Sequence, residues 1–284
     1  MPAWSKLPWL LHGFSTRRGG LTTVYKPTGD LNLGFTASDS KETVLANRRM
    51  FVTAVAEKSA PPLVTLKQVH SSIVQRVGKA DAGDEAKHKA DGMMTNETGI
   101  LLGIQTADCI PVLIADRKKR AVAAFHAGWR GTLKRIVENG VGRMRLEFGS
   151  QPEDMVAAIG PGIGACCYSV GEEVRMEFES QFIYAPELFS EVYDSDPVKE
   201  KYPLLFLTAR APGHSNLGPA LHLDLVEANR RQLLDAGLSP KNIFIQGDCT
   251  SCRTDRYFSH RADHGFTGRS LSVIGIQGIR GKHR

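Results

Sequence analysis

One stretch, residues 101–131, limits what this chain can fold into: it holds IQTADCIPVLIAD, a charged break at Arg117–Arg120, and then AVAAFHAGWRG. Both apolar runs are dominated by Ile, Val and Ala and read as strands. Asp108, Cys109 and His126 fall at or near their ends, where side chains project from a sheet into a cleft and rigid sites are built. Upstream, Leu63–His70 (LVTLKQVH) is a third such run, and it too closes on a histidine. Each of these residues taken singly also fits a packed core position. Taken together, one thiolate and two imidazoles end three predicted strands. That donor set suits zinc, and three protein ligands leave a fourth tetrahedral position open for water or substrate.

The motifs KQVHS, TADC and HAGWRG, in this order, resemble the YfiH-like family, also labelled polyphenol oxidase or laccase-domain protein and associated with purine nucleoside phosphorylase activity. The resemblance runs nearly end to end. It takes in GFSTRRGG from Gly13, NLGF from Asn32, NRR from Asn47, GPGIGACCYSVGEEV from Gly160 and FSHRADHGFTGR from Phe258. It implies that His70, Cys109 and His126 bind zinc, and it implies a layered α-β-β-α sandwich. Residue patterns alone stop at mixed α and β, an α+β class with mixed β-sheets and helices outside.

The chain has 284 residues, and no repeat, low-complexity tract or Gly/Ser linker divides it, so it reads as a single domain over 1–284. Its net charge of +6 is dispersed as single Lys and Arg residues with only short clusters such as Arg117–Arg120, which suits anionic small ligands and does not demand a nucleic-acid groove. PWLLHGF near the N-terminus is too short and wrongly flanked for a signal peptide, and no run approaches a membrane span. Five cysteines, an odd count in a long chain, argue against a disulfide framework and for the cytoplasm. Cys166 and Cys167 are adjacent and cannot readily chelate one metal together, whereas Cys249 and Cys252 have the spacing of half a zinc knuckle.

In chain order, a helix is expected from Asp39, with Asp39 as cap and Glu42 as capping-box partner. Ile73–Val77 reads as a strand, residues 78–90 as a surface loop, and Trp129–Gly149 as one long helix with Leu133, Ile136, Val137 and Val141 on its buried face. The HAGWRG turn would then set Arg130 at a helix N-terminus, a natural anion site for phosphate. Further expectations are a strand at Met155–Ile159, helices at Glu172–Phe182 and Asp224–Gly237, and strands at NIFIQG and LSVIGIQ. Residues 184–220 read as irregular apart from LLFLTA. Arg17 and Asn47, within motifs of the resemblance, are candidate substrate contacts. So are Arg261 and Arg269, as anion or ribose contacts.

An open zinc site reaches two reactions: delivery of hydroxide to the C6 of adenosine, or orientation of phosphate or ribose for attack at the anomeric carbon. The family resemblance implies both, together with cleavage of methylthioadenosine, and places phosphorolysis first. Asp108 is the candidate general acid or base, or else the group that orients a ligand histidine. The cytidine-deaminase signature is absent, because no His-x-Glu occurs. A laccase needs many histidines in His-x-His pairs. This chain has 9 histidines and no such pair, although His70, Cys109 and His126 also suit one copper ion. The expected partners are a purine nucleoside and phosphate, with neither nucleic acid nor membrane, and the expected state is a monomer or weak dimer. A non-catalytic role in quality control or peptidoglycan editing is the competing class.

Overall fold

The structure is a computed structural model that describes residues 4, 6–57, 60–83, 85–192 and 219–278. Its contacts group into two compact units: the chain up to Gly164 together with the chain from Leu225, and Ala165–Asp224. No linker marks either boundary, so the sequence alone reads as one continuous domain.

The larger unit holds two sheets. One has four strands in the order β1 (Leu10–Phe14), β14 (Ser270–Ile276), β6 (Ile100–Thr106) and β3 (Leu63–Thr65). The other has six, in the order β13 (Ile243–Ile245), β9 (Met155–Ile159), β7 (Ile110–Asp116), β8 (Ala121–Ala127), β5 (Gly92–Thr95) and β4 (Val74–Arg76). Side chains alternate across a strand, so Leu102 and Ile104 of β6 and Ile274 of β14 turn to one face. There they share a buried cluster with Leu113, Val122, Ala124 and Val156 of the six-stranded sheet. The opposite face of the four-stranded sheet, through Leu101, Leu271 and Val273, packs on Phe51 and Val52 of α1 (Lys41–Ala56). The outer face of the six-stranded sheet carries α3 (Ile136–Phe148) and α5 (Leu225–Asp235) against β8 and β9. The unit is therefore layered α-β-β-α, as expected. The smaller unit has α4 (Glu172–Gln181) and a three-stranded sheet of β10 (Ser169–Val170), β12 (Ala220–Leu223) and β11 (Phe189–Val192).

Three departures from the sequence reading shape the site. IQTADCIPVLIAD is two strands in different sheets, β6 and β7, and residues 107–109 cross between them. The crossing turns on Asp108, whose φ of 87° lies in the left-handed region that an ordinary side chain seldom enters. LVTLKQVH leaves its sheet after Thr65, and the Gln68 amide then takes the place of a strand partner: it donates to Gln105 O at 2.7 Å and accepts from Gln105 N at 2.8 Å. His70 thus stands in a loop, at φ 58°, and not at a strand end. The helix expected over 129–149 is broken into α2 (Trp129–Leu133) and α3, with Arg135 left-handed at the break. At α1 the cap is Ser40, whose Oγ accepts from Thr43 N; Asp39 accepts instead from Thr22 and Asn32 side chains. LLFLTA lies outside the described residues.

The α3 layer rests on a close approach, since a Cβ on Gly140 would lie 2.2 Å from the Phe125 ring. Gly140→Ala gains about 1 kcal/mol of helix propensity but forces this overlap, and overpacking a buried contact costs roughly 1–3 kcal/mol. The expected net effect is a lower melting temperature, partly restored by Phe125→Leu in the same chain. Thermal denaturation of the single and double variants checks it.

Candidate metal centre

Strand register brings the first two donors together. In the β7–β8 ladder Ile110 faces Ala127 and Pro111 faces His126. Cys109, one residue before β7, consequently comes opposite Gly128, one residue after β8. Gly128 is required there for space: a Cβ would lie 2.9 Å from Cys109 Sγ and 3.1 Å from His70 Cδ2. The glycine of HAGWRG is the gap into which the other two donors fit.

The third donor arrives by a loop, and a buried carboxylate delivers it. Asp91, fully buried just before β5, accepts from the backbone N–H groups of Val69, His70 (2.9 Å) and Ser71 (2.6 Å) and from the Ser71 hydroxyl (2.7 Å). The same carboxylate meets His126 Nδ1 at 2.9 Å. Nε2 of His126 is thereby left for the cluster, since a ligand imidazole that hydrogen-bonds through one nitrogen offers the other. His70 Nε2 lies 3.9 Å from Cys109 Sγ, and the two histidine rings meet edge to face at 4.9 Å between centroids. Ligand atoms of His70, Cys109 and His126 all lie within 4.8 Å of one another. One tetrahedral ion at ordinary Zn–N and Zn–S lengths of about 2.0–2.3 Å fits donors so spaced.

The electrostatics suit a cation. Burial raises the Cys109 thiol, but the His126 charge and hydrogen bonds from both histidines outweigh it and bring the group down to about 6. Burial lowers His126, and the Cys109 charge with the Asp91 bond reverses that, lifting it to about 9. Burial also raises Asp91, yet its bonds from His126 and Ser71 hold it well below the usual carboxylate range.

The remaining predicted residues are dispersed. The expected orienting role of Asp108 belongs to Asp91. The Asp108 carboxylate instead accepts from the Thr250 hydroxyl at 2.7 Å and from Arg261 N at 2.6 Å. The Arg261 backbone therefore lies beside the residue that precedes Cys109. Arg130 is exposed on the five-residue α2, its guanidinium 4.3 Å from the centre of the Trp129 ring. It does not head a long helix. Arg17 is 2% exposed, with Asp30 taking Nε and Nη2 and Thr254 O taking Nη1. Asn47 is fully buried and ties Leu21 N, Thr22 Oγ1 and Asn32 O together. Both spend their hydrogen bonds on holding the N-terminal loops. Arg269 donates through Nη1 to the carbonyls of Thr267 and Gly268, and its backbone N–H to Asn32 Oδ1. Asp91 escaped the sequence reading, and its only signal was an acidic residue between a polar loop and the apolar strand GMMT.

The α-β-β-α layering thus carries, beside the β7–β8 ladder, a Cys-His-His cluster able to hold a metal ion. The chain belongs to the family described as multi-copper polyphenol oxidoreductase laccase, whose model matches residues 11–277. It is 35% identical over 272 residues to the purine nucleoside phosphorylase YlmD of Geobacillus stearothermophilus, covering 93% of this chain and 89% of that one. It is 32% identical over 271 residues to a purine nucleoside phosphorylase of Bacteroides thetaiotaomicron, covering 93% and 91%. The crystal structure of the Bacillus licheniformis hypothetical protein YfiH superimposes with a TM-score of 0.79 at 30% identity, covering 96% of this chain and 94% of that one. Among the described residues no helix is long and apolar enough to cross a membrane.

Two outcomes follow. Asp91→Asn removes a charge that faces His126 and the His70 loop, and loss of such an outer partner costs about 10–100-fold in metal affinity; competition with a chromophoric chelator reads it. Because metal needs His126 neutral, affinity should rise with pH up to about 9 and then level. The same titration repeated from pH 6 upward checks the slope, and a flat profile would show that no ligand proton is displaced.

Proposed function

We propose that the chain is a zinc-dependent purine nucleoside phosphorylase that converts adenosine, inosine or guanosine and phosphate to free base and ribose 1-phosphate. Adenosine deamination and methylthioadenosine phosphorolysis are proposed as side activities. The observation that carries the reading is the open three-donor centre of His70, Cys109 and His126 in a chain whose relatives bear the phosphorylase name. In the reaction a phosphate oxygen bonds to the anomeric carbon, the bond to the purine nitrogen breaks, and the base departs with the electron pair and takes up a proton. A bound metal supplies Lewis acidity toward an oxygen ligand in its open position. Asp91 holds His126 and the His70 loop in register for that ion. Arg130 offers an unburied guanidinium close in sequence to Gly128, and Arg261 lies beside Asp108 through its backbone N–H; both are assigned to the phosphate or ribose.

Zinc is preferred to copper because a laccase needs a second, histidine-rich copper cluster. Among the described residues His70, Cys109 and His126 are the one metal-capable group that contains histidine. The odd count of five cysteines in a long chain suits a reducing, cytoplasmic setting. The partners proposed are small molecules, and the state is a monomer or weak dimer.

The test is adenosine turnover by metal-quantified protein with and without phosphate, separating adenine, inosine and hypoxanthine. Phosphate-dependent adenine is expected, with Cys109→Ala folded, depleted of zinc and reduced by at least about 100-fold in turnover. Phosphate-independent inosine would make deamination the main activity. No product from zinc-loaded protein would favour a non-catalytic role.

A further inference from the structure

The residue before Cys109 is the one departure from ordinary backbone in the turn that crosses between the sheets. Asp108 has φ 87°, a conformation that costs of order 1–3 kcal/mol for a residue with a side chain and persists only where its surroundings impose it. The surroundings do impose it. Thr250, 4% exposed, donates its hydroxyl to Asp108 Oδ1 at 2.7 Å, and Arg261 donates its backbone N–H to Oδ2 at 2.6 Å. Asp108 O accepts from Ile163 N at 2.8 Å, in a segment where a Cβ on Gly162 would lie 2.9 Å from that same oxygen. Thr250 is fixed in turn by its own N–H on Gly162 O at 2.9 Å. Three segments, all distant from Asp108 in sequence, thus converge on it, and each of these bonds is made to the fold itself. Each carboxylate oxygen holds a donor supplied by the fold itself.

We propose that Asp108 is a positioning residue, whose carboxylate, clamped by Thr250 and Arg261 N, holds the crossing turn in the left-handed conformation that presents the Cys109 sulfur to His70 and His126. The proposal rests on reading these three as metal ligands, but not on the identity of the reaction. Acid–base chemistry at Asp108 and positioning by Asp108 separate cleanly, because Thr250→Val loosens the clamp without touching the carboxyl group.

The experiment compares wild type, Asp108→Asn, Thr250→Val and Thr250→Ser. It measures metal affinity by chelator competition, the sulfur-to-cobalt charge-transfer band of the Co(II)-loaded protein, and the pH profile of turnover at saturating metal. Positioning predicts that Thr250→Val and Asp108→Asn both weaken metal binding by about tenfold or more and shift or weaken the cobalt band. Thr250→Ser, which keeps the hydroxyl, should restore both. The pH inflections of the remaining activity should stay where they are in wild type. Unchanged metal affinity and cobalt band in folded Thr250→Val would overturn the proposal. So would an Asp108→Asn profile that loses an inflection while Thr250→Val behaves as wild type, since that is the signature of a proton-transfer group. If Asp108→Asn fails to fold, the Thr250 pair decides alone. Should wild type show no phosphorolysis, the metal and cobalt readings still decide, so failure of the functional reading is distinguishable from failure of this one.

Discussion

The Asp91 carboxylate is the interaction on which the site depends. Burying an ionised carboxylate is costly unless its lone pairs are filled. Here they are filled by the N–H groups of Val69, His70 and Ser71, the Ser71 hydroxyl and His126 Nδ1. Those donors come from two segments that each carry a member of the Cys-His-His cluster. One charge therefore sets the loop conformation that holds His70, selects the nitrogen that His126 presents, and leaves negative potential beneath the place a cation takes. Its own backbone adds to the arrangement, since Asp91 O accepts from His126 N at 2.7 Å.

What could be read from the sequence follows from which physical signals are local. Met155–Ile159 and the helix beginning near Asp224 are legible because an apolar run or an amphipathic repeat with a glycine stop announces itself within a dozen residues. The donor set is legible because Cys and His near strand ends are chemically conspicuous. The sheet crossing is not legible. Thr106–Cys109 carries no glycine or proline, and the left-handed turn at Asp108 is stabilised by Thr250 and Arg261, more than 140 residues away. The break between α2 and α3 is hidden for a similar reason, since Lys134 and Arg135 are good helix formers overridden by tertiary context.

Arg17 and Asn47 teach the complementary lesson. Arg17 sits in the glycine-rich GFSTRRGG loop and Asn47 in the NRR of α1, motif-like places where a polar residue invites a functional reading, and both are buried with their hydrogen bonds spent on neighbouring loops. A loop without regular backbone pairing has to satisfy its polar groups somehow, and long polar side chains turned inward are one means of doing so. Sequence shows the polar residue but not the direction in which it points.

The anchoring of His70 has a mechanical consequence. The chain enters its loop from β3, in the four-stranded sheet, yet the loop is pinned to Asp91 at the threshold of β5, in the six-stranded one. Cys109 and His126 belong to the β7–β8 ladder of that same six-stranded sheet. The anchors nearest to all three donors therefore lie in a single layer, while Gln68 ties the same loop to Gln105 of β6 in the other. A small shift of one sheet over the other would be taken up first by the Gln68–Gln105 pair and by the crossing turn at Asp108, the two links that run from the donors to the other layer, and only then by the edges of the donor triangle.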